Sequence, residues 1–223
     1  MRVLAIHHHD EDRPGLVGEA RASFGATIDL VKVDNTHPVP SLDGYDMLLT
    51  LGSKEAVYDP RVQAAWLNDE LALITHATNS GVPVFGICFG AQELCVVAGG
   101  TVERAPEAEL GWYDTDGADE LSGPWFEYHF DRCLVPEHVD VWASSPRAVQ
   151  AFAIGKNVGV QFHPEIDTAQ LREWLEVDEG DARAFGHDLD TLLDQTATIE
   201  PDVRMRTYRL VERVLRHNGL LPS

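Results

Sequence analysis

One segment in the first half of the chain constrains the fold most, because it joins a strand to a helix through a tight turn. The apolar run from Val82 to Ile87 predicts a buried strand, and the small residues from Ala91 to Ala98 predict a helix that ends at a Gly-Gly pair. The turn between them reads Gly-x-Cys-x-Gly around Cys88. A glycine two residues to either side lets the two backbones approach closely, as in a nucleophile elbow. The segment therefore predicts an α/β fold with a cysteine held in a tight turn.

The other apolar runs in the first hundred residues alternate with helical patterns. Strands are predicted at 2–6, 27–33 and 45–51, and helices at 16–24 and 60–80. The run at 45–51 is apolar almost throughout, which is typical of a parallel strand that helices cover on both faces. This alternation predicts a doubly wound, mostly parallel central sheet flanked by helices.

The pattern changes after residue 100. Short strand-like runs, clearest at 139–143, 148–154 and 158–162, predict an antiparallel or mixed extension of the sheet. After Glu165 the pattern becomes helical, and the last helix is predicted at about 201–218 because a glycine follows it. The predicted architecture is thus an α/β sheet with an antiparallel extension and a C-terminal helical segment.

The size and charge of the chain limit its partners. We expect a single domain over 1–223, with a catalytic core at 1–166 and a C-terminal helical extension at 167–223. Asp and Glu number 37 against 17 Lys and Arg, which gives a formal net charge of -20. A surface this negative repels nucleic-acid phosphates and anionic lipids, so we expect neither nucleic acid nor membrane as a partner. No apolar stretch is long enough to span a membrane, and the N-terminal apolar run is too short for a secretory signal.

Cys88 is the candidate nucleophile. The start of the following helix lies beside its sulfur, so the helix dipole favours the thiolate. The backbone N–H of Phe89 is placed to donate a hydrogen bond to an oxyanion. The alternative is a buried cysteine in an ordinary strand-to-helix turn. Cys95 and Cys133 lack this context and are expected to be structural.

A candidate base follows 75 residues later along the chain. The apolar strand at 158–162 leads directly into His163, and Glu165 comes two residues after it. A carboxylate there can hold one ring nitrogen of the histidine while the other faces Cys88. The sequence therefore predicts a triad of Cys88, His163 and Glu165.

These motifs carry a family resemblance. GICFGAQ at 86–92 together with QFHPE at 161–165 closely resembles the class I (triad-type) glutamine amidotransferases, which have a flavodoxin-like fold. The segment LLTLGSKEAVYD at 48–59 is similar to their oxyanion loop, and the resemblance covers about 2–166. It implies hydrolysis of the glutamine side-chain amide through a γ-glutamyl thioester, with the ammonia passed to an acceptor enzyme.

The resemblance also implies roles for the residues of the triad. Cys88 would attack the amide carbon. His163 would protonate the departing ammonia and then activate the water that releases glutamate, while Glu165 would orient His163.

The resemblance is less complete in the oxyanion loop. Phe89 would supply one backbone donor, and a residue of the loop would supply the second. Many relatives carry a second glycine and then a proline where this chain has Ser53 and Lys54. The loop donor therefore stays open between Gly52 and Ser53.

The substrate-binding residues are also assigned by resemblance. Gln92 lies one helical turn after the nucleophile and would help to hold the substrate glutamine. Tyr128, His129 and Phe130 belong to a segment that reads His-Gly-Asp in many relatives, where it lends backbone groups to the ends of the substrate. Because Phe130 stands in the glycine position, glutamine and another γ-glutamyl small molecule both remain open as substrates.

Three functional hypotheses remain. The residues after Glu165 are too few for an ATP-using synthetase, so an amidotransferase of this kind needs a separate synthetase or acceptor subunit. The chain could instead be a stand-alone γ-glutamyl hydrolase or peptidase, or a non-catalytic regulatory subunit. Other folds with a similar elbow fit less well. In α/β-hydrolases the acid precedes the histidine, and in PfpI-type proteases it comes from elsewhere.

Other cysteines and histidines suggest no cofactor. The chain has three cysteines and no Cys-x-x-Cys pair, which favours a reducing, cytoplasmic location and argues against a cysteine-based zinc site. His7, His8 and His9 fall at the end of the first strand, where alternate side chains point in opposite directions, so we expect a loop-edge cluster without metal. Neither a metal nor a cofactor is expected, and a homo-oligomer is compatible with the sequence.

Overall fold

A nine-stranded sheet runs through the centre of the molecule, whose computed structural model describes residues 1–222. Its strands are β1 (Arg2–His7), β2 (Thr27–Lys32), β3 (Met47–Thr50), β4 (Val84–Ile87), β5 (Thr101–Gly117), β6 (Gly123–Leu134), β7 (Asp140–Ser144), β8 (Val149–Ile154) and β9 (Asn157–Val160). Their spatial order is β2-β1-β3-β4-β9-β8-β7-β5-β6. The first five of these pair in parallel, and the pairings from β9 to β6 are antiparallel. This confirms the predicted parallel sheet with an antiparallel extension.

Helices cover both faces of the parallel part. They are α1 (Gly15–Ser23), α2 (Pro60–Val62), α3 (Asn68–Ser80), α4 (Phe89–Val97), α5 (Thr168–Ala184) and α6 (Leu189–His217), with a π-helical turn at Gln63–Leu67 and a 3-10 turn at Asp119–Leu121. Val3 and Ala5 of β1 pack in the core that contains α1 and α6, whereas Leu4 and Ile6 pack in the core that contains α3 and α4. A strand buried on both faces explains why its apolar run is continuous. No helix within residues 1–222 is long and apolar enough to cross a membrane.

The runs predicted at 139–143, 148–154 and 158–162 correspond to β7, β8 and β9, but the two long strands that precede them were not predicted. Strands β5 and β6 are 17 and 12 residues long and pair as one extended hairpin. Pro106 lies where the register between the strands breaks, between Arg104 and Glu109. A proline interrupts a strand pattern in the sequence, but a bulge tolerates its missing N–H. The sequence therefore did not predict the hairpin, because a proline interrupts the strand pattern of β5.

The predicted start of the last helix is wrong. Helix α6 begins at Leu189, twelve positions earlier than predicted, and Pro201 lies inside it. Buried residues line the helix on both sides of the proline, among them Leu192 and Val203. A proline inside a helix costs roughly 3 kcal/mol, and the apolar face that α6 buries on the protein offsets this cost.

Candidate active site

The turn around Cys88 has the geometry of a nucleophile elbow. Cys88 joins β4 to α4 with φ 53° and ψ -105°, a backbone conformation that non-glycine residues rarely adopt. Its N–H donates a 2.8 Å hydrogen bond to the carbonyl of Val160 on β9. A Cβ on Gly86 would collide with the backbone of Gly90, and one on Gly90 would collide with Thr50. Both glycines are therefore required by the close approach of strand and helix.

His163 and Glu165 form a buried pair beside this turn. His163 Nδ1 lies 2.7 Å from Glu165 Oε1, and both side chains are almost fully buried. Burial acts to lower the pKa of His163, but the charge of Glu165 and the sulfur of Cys88 raise it well above its ordinary value. In the described chain, the other ring nitrogen, His163 Nε2, has no neighbour to interact with except the sulfur of Cys88. The structure thus brings the three predicted triad residues together.

The backbone around His163 and Glu165 is tied to three other elements. The N–H of His163 donates to Phe126 on β6 at 2.8 Å, and Thr207 on α6 donates to the carbonyl of Pro164 at 2.8 Å. The carbonyl of Glu165 accepts from Leu16 on α1 at 2.9 Å. These bonds hold the imidazole and the carboxylate in one orientation.

The sulfur of Cys88 has two further polar neighbours. Gln161 Nε2 donates to it at 3.6 Å, and the carbonyl oxygen of Tyr128 lies 3.9 Å away. Gln92 is buried one turn along α4, and its amide donates to Gln161 Oε1 at 3.4 Å. Sequence reasoning missed Gln161, although it precedes His163 by only two residues. The spacing could have indicated it, because side chains two residues apart in an extended segment point to the same side.

The loop at 52–54, which was predicted to bind an oxyanion, is held in place by a buried histidine. The carbonyl of Gly52 accepts a 2.9 Å hydrogen bond from His8 Nδ1, and His8 Nε2 lies 3.1 Å from Glu70 Oε2. The carbonyl oxygen only accepts, so His8 Nδ1 donates to it, and a carboxylate at Glu70 favours a proton on Nε2 as well. Burial acts to lower the pKa of His8, but Glu70 and the Gly52 carbonyl raise it. His8 is thus a buried side chain that supports the loop, not part of a loop-edge cluster.

A second carboxylic acid, Glu93 of α4, completes the buried group behind the loop. Burial and the neighbouring charge of Glu70 raise the pKa of Glu93 well above its ordinary value. Neither of its oxygens has a hydrogen-bond partner in the described part of the chain. This environment therefore favours the neutral form of Glu93, which lies beside the close contact between His8 and Glu70.

A cavity of about 370 Å³ opens in front of Cys88 and His163. Eight of the ten predicted site residues line it, namely Gly52, Ser53, Cys88, Gln92, Tyr128, His129, Phe130 and His163. Glu165 lies behind His163, and the ring of Phe89 packs against His8 with their centroids 5.3 Å apart. The side chain of Phe89 therefore packs behind the loop and does not line the cavity.

Helix α5 supplies a wall of the cavity that the sequence did not indicate. The ring of Trp174 stands edge-on to His163 with 5.0 Å between centroids. Lys54 of the oxyanion loop forms an ion pair with Asp178 of this helix at 2.6 Å and with Glu11 at 2.9 Å. The hydroxyl of Tyr128 donates to Asp181 at 3.2 Å. The helical extension therefore takes part in the site.

His129 and Phe130 face different surroundings. The ring of His129 is buried between Glu109 and Glu127, with its Nε2 3.1 Å and 3.3 Å from their carboxylates. Phe130 packs edge-on against Phe185 of the segment after α5, with 5.7 Å between ring centroids. The imidazole of His129 is therefore held by carboxylates at the cavity wall.

A family model covers most of the same residues. The glutamine amidotransferase class-I model matches residues 17–176, which include the elbow and the His163–Glu165 pair. GMP synthase [glutamine-hydrolyzing] of Rhizobium etli is 40% identical over 158 residues, which are 63% of this chain and 28% of that protein. The chain thus spans about a quarter of the length of the curated relatives it matches.

Solved structures match over nearly the whole chain. A glutamine amidotransferase from Thermotoga maritima superposes with a TM-score of 0.87 at 25% identity, covering 96% of this chain and 98% of that one. A glutamine amido transferase from Methylobacillus flagellatus superposes with a TM-score of 0.84 at 23% identity, covering 97% and 94%. The likeness extends through the C-terminal helices, and the resemblance inferred from the motifs is confirmed.

Proposed function

Because the chain belongs to the class I glutamine amidotransferase family, we propose that it hydrolyses the side-chain amide of glutamine with Cys88, His163 and Glu165 as its catalytic triad. The observation that carries the proposal is the strained turn that presents Cys88 to a buried histidine, whose far nitrogen lies 2.7 Å from a carboxylate. A nucleophile, a base and an orienting acid are the parts that acyl transfer requires.

The reaction runs in two halves. The Cys88 thiolate attacks the amide carbon, and the tetrahedral intermediate collapses when His163 protonates the leaving nitrogen, so that ammonia departs and a γ-glutamyl thioester remains. His163 then takes a proton from water, whose oxygen attacks the thioester carbon. Glutamate leaves as the sulfur recovers its electron pair. Glu165 keeps the Nδ1–H of His163 oriented in both halves.

The orientation of the oxyanion loop supports Ser53 as the loop donor. In a peptide unit the C=O and the following N–H point in opposite directions. Since His8 holds the carbonyl of Gly52, the N–H of Ser53 points away from His8. The position of a Cβ on Gly52 would lie 3.3 Å from the ring of His163, so this peptide borders the reacting atoms. Together with the N–H of Phe89 at the start of α4, Ser53 would bind the oxyanion.

The cavity suits a small zwitterion. Lys54 and Arg104 line it together with Asp131, Asp178 and Asp181, so that both charge signs lie within reach of an α-ammonium and an α-carboxylate. We propose that Gln92 and the backbone of Tyr128 and Phe130 complete the contacts to the glutamyl part of the substrate.

Ammonia made in this way needs an acceptor. We propose that a separate synthetase subunit receives the ammonia, and the similarity to the GMP synthase of Rhizobium etli supports an acceptor of this kind. The three cysteines in the described chain are all free, which fits work in the reducing cytoplasm.

One observation favours a second function, a stand-alone γ-glutamyl hydrolase. The oxyanion loop is already tied by His8 and by the ion pairs of Lys54 to Glu11 and Asp178. A loop that is set within the chain itself needs no docking partner to complete it.

Glutamate release separates the two functions. The purified chain is assayed with glutamine, γ-glutamyl amides and γ-glutamyl dipeptides, and Cys88→Ala is the inactive control. Slow turnover on glutamine with a reactive Cys88 supports the partner-dependent amidotransferase. Turnover of roughly 10 per second or more on a dipeptide would favour the hydrolase. Turnover that Cys88→Ala retains would overturn the triad.

A further inference from the structure

Three ionisable side chains meet inside the β5–β6 hairpin, next to the catalytic pair but not part of it. Glu109 of β5 lies directly opposite His129 of β6, and Glu127 precedes His129 by two residues, so that all three share one face of the hairpin. Both glutamates are fully buried and His129 is 3% exposed. One atom from each lies within 4.8 Å of the other two.

The hydrogen bond of His129 defines which ring nitrogen faces the carboxylates. His129 Nδ1 lies 2.9 Å from the carbonyl oxygen of Asp131, which can only accept, so Nδ1 carries a proton. In the neutral imidazole, Nε2 then presents a lone pair. A histidine that donates one N–H to a backbone carbonyl and offers its other nitrogen is oriented as metal ligands are.

The contacts at Nε2 do not have hydrogen-bond geometry. It lies 3.1 Å from Glu109 Oε2 and 3.3 Å from Glu127 Oε2, yet it has no hydrogen-bond partner in the described part of the chain. Both oxygens of Glu127 also lack a hydrogen-bond partner, as does Glu109 Oε1, which lies 3.7 Å from Arg147 Nη1. Glu109 Oε2 accepts hydrogen bonds from Gln150 Nε2 at 2.9 Å and from Ser145 Oγ at 3.2 Å. A buried charge without a compensating partner costs several kcal/mol, so a cation bound among these carboxylates would stabilise the cluster.

We propose that Glu109, Glu127 and His129 bind a divalent first-row transition metal, of which zinc fits the ligand set best. Imidazole nitrogen and carboxylate oxygen are both zinc ligands at about 2.0–2.2 Å. Two such ligands at a tetrahedral angle lie about 3.4 Å apart, close to the separations seen here. Two carboxylates and a neutral imidazole carry a charge that a divalent cation balances.

The cation would have a structural effect on the site. Tyr128 lies between two of the ligands on β6, and its carbonyl oxygen is 3.9 Å from Cys88 Sγ. Binding would fix the strand that borders the nucleophile. The competing arrangement is an imidazolium between the two carboxylates. In the absence of a cation, burial raises the pKa of Glu127 to about 7. Burial acts to lower the pKa of His129, but the two carboxylates raise it to about 10.

Metal content and melting temperature test the proposal. The chain is made without a histidine tag and with Cys88→Ala, so that the thiol and His163 do not capture the ion. Zinc per chain is measured by mass spectrometry after dialysis, and thermal unfolding is followed with chelator and with zinc. We expect about one zinc per chain. Zinc at 100 times its Kd should raise the melting temperature by about 5–10 °C.

Two glutamine variants make the result specific. Glu127→Gln removes one ligand charge, whereas Glu103→Gln removes an exposed charge on the same hairpin and serves as the matched control. We expect Glu127→Gln to fold, because it relieves a buried like-charge pair, but to lose the zinc and the zinc-dependent shift in melting temperature. The control should keep both. Less than a tenth of an equivalent of zinc with no shift in the parent chain, or equal zinc in Glu127→Gln, would overturn the metal site and leave the imidazolium arrangement.

Discussion

Replacing Glu165 with glutamine changes one charge next to His163 and almost nothing of the side chain's shape. The 2.7 Å contact between Glu165 Oε1 and His163 Nδ1 is a charge-assisted hydrogen bond, and the variant keeps only a neutral one. Hydrogen bonds to charged groups contribute about 1.5–3 kcal/mol and neutral ones about 0.5–1.5 kcal/mol, so about 1–1.5 kcal/mol is lost.

A second cost comes from the other oxygen of the carboxylate. Glu165 Oε2 is buried and has no hydrogen-bond partner in the described chain, so the amide NH₂ of the variant would lie there without an acceptor. An unsatisfied buried donor costs about 1–3 kcal/mol. The weakened hydrogen bond removes about 1–1.5 kcal/mol of transition-state stabilisation, which lowers kcat/KM by about 5- to 13-fold, whereas the unsatisfied donor lowers the stability of the folded variant. Cys88→Ala should lose more, because it removes the group that forms the bond.

The measurement is glutamate release over a range of pH. Glu165 helps to raise the pKa of His163, so activity that needs the imidazolium should fall off at lower pH in Glu165→Gln than in the parent chain. Asp12→Asn is the matched control, since Asp12 is a buried carboxylate that lines the same cavity without a hydrogen bond to His163. A kcat/KM within about threefold of the parent value, with an unchanged alkaline limb, would refute the assignment of Glu165 as the orienting acid.

Three further outcomes are expected. Burial raises the pKa of Asp12 from 3.8 to about 7. The contribution of the protonated Asp12 carboxyl to folding stability is therefore fully present below about pH 4 and is lost as the pH rises through about 7. Asp12→Asn should therefore be more stable than the parent chain at pH 8, by at most about 4 kcal/mol, in urea unfolding. Gly90→Ala should fail to form the elbow, seen as a loss of cooperative thermal unfolding, because its Cβ would overlap the backbone of β3. A chloroacetamide probe should label Cys88 before Cys95 or Cys133, because Cys88 lines the cavity and the other two lie in the core. The labelled site is identified by mass spectrometry, and labelling mainly at Cys133 would contradict the nucleophile assignment.

The features that the sequence predicted are local ones. The elbow around Cys88 depends on two glycines within two residues of it, and the pair of His163 and Glu165 depends on two neighbouring positions at a strand end. Backbone sterics over a few residues decide such arrangements, so they are visible in the order of the residues. The parallel strands were visible for a related reason, because burial on both faces leaves continuous apolar runs.

The predictions that failed concern elements whose local signals conflict with their packing. The last helix was predicted to start at Pro201, and no strand was predicted through Pro106. Both lie inside longer elements, because α6 buries apolar residues on both sides of one proline and a bulge accommodates the other. Local propensity is weaker than the burial of a long apolar face, and only the folded chain reveals that burial.

Only the tertiary structure shows which side chains that are distant in the sequence share a buried environment. His8 contacts Gly52, which lies 44 residues away in the sequence, and Glu70, which lies 62 residues away. Glu109 faces His129 only because of the register of β5 on β6. A shift of one residue in that register would turn one side chain of the pair to the opposite face of the hairpin. The sequence by itself predicted the fold class and the family, which are confirmed, and proposed Cys88 as nucleophile and His163 as base. The support of the oxyanion loop and the buried cluster beside the nucleophile follow from strand pairing and layer packing, which no short motif encodes.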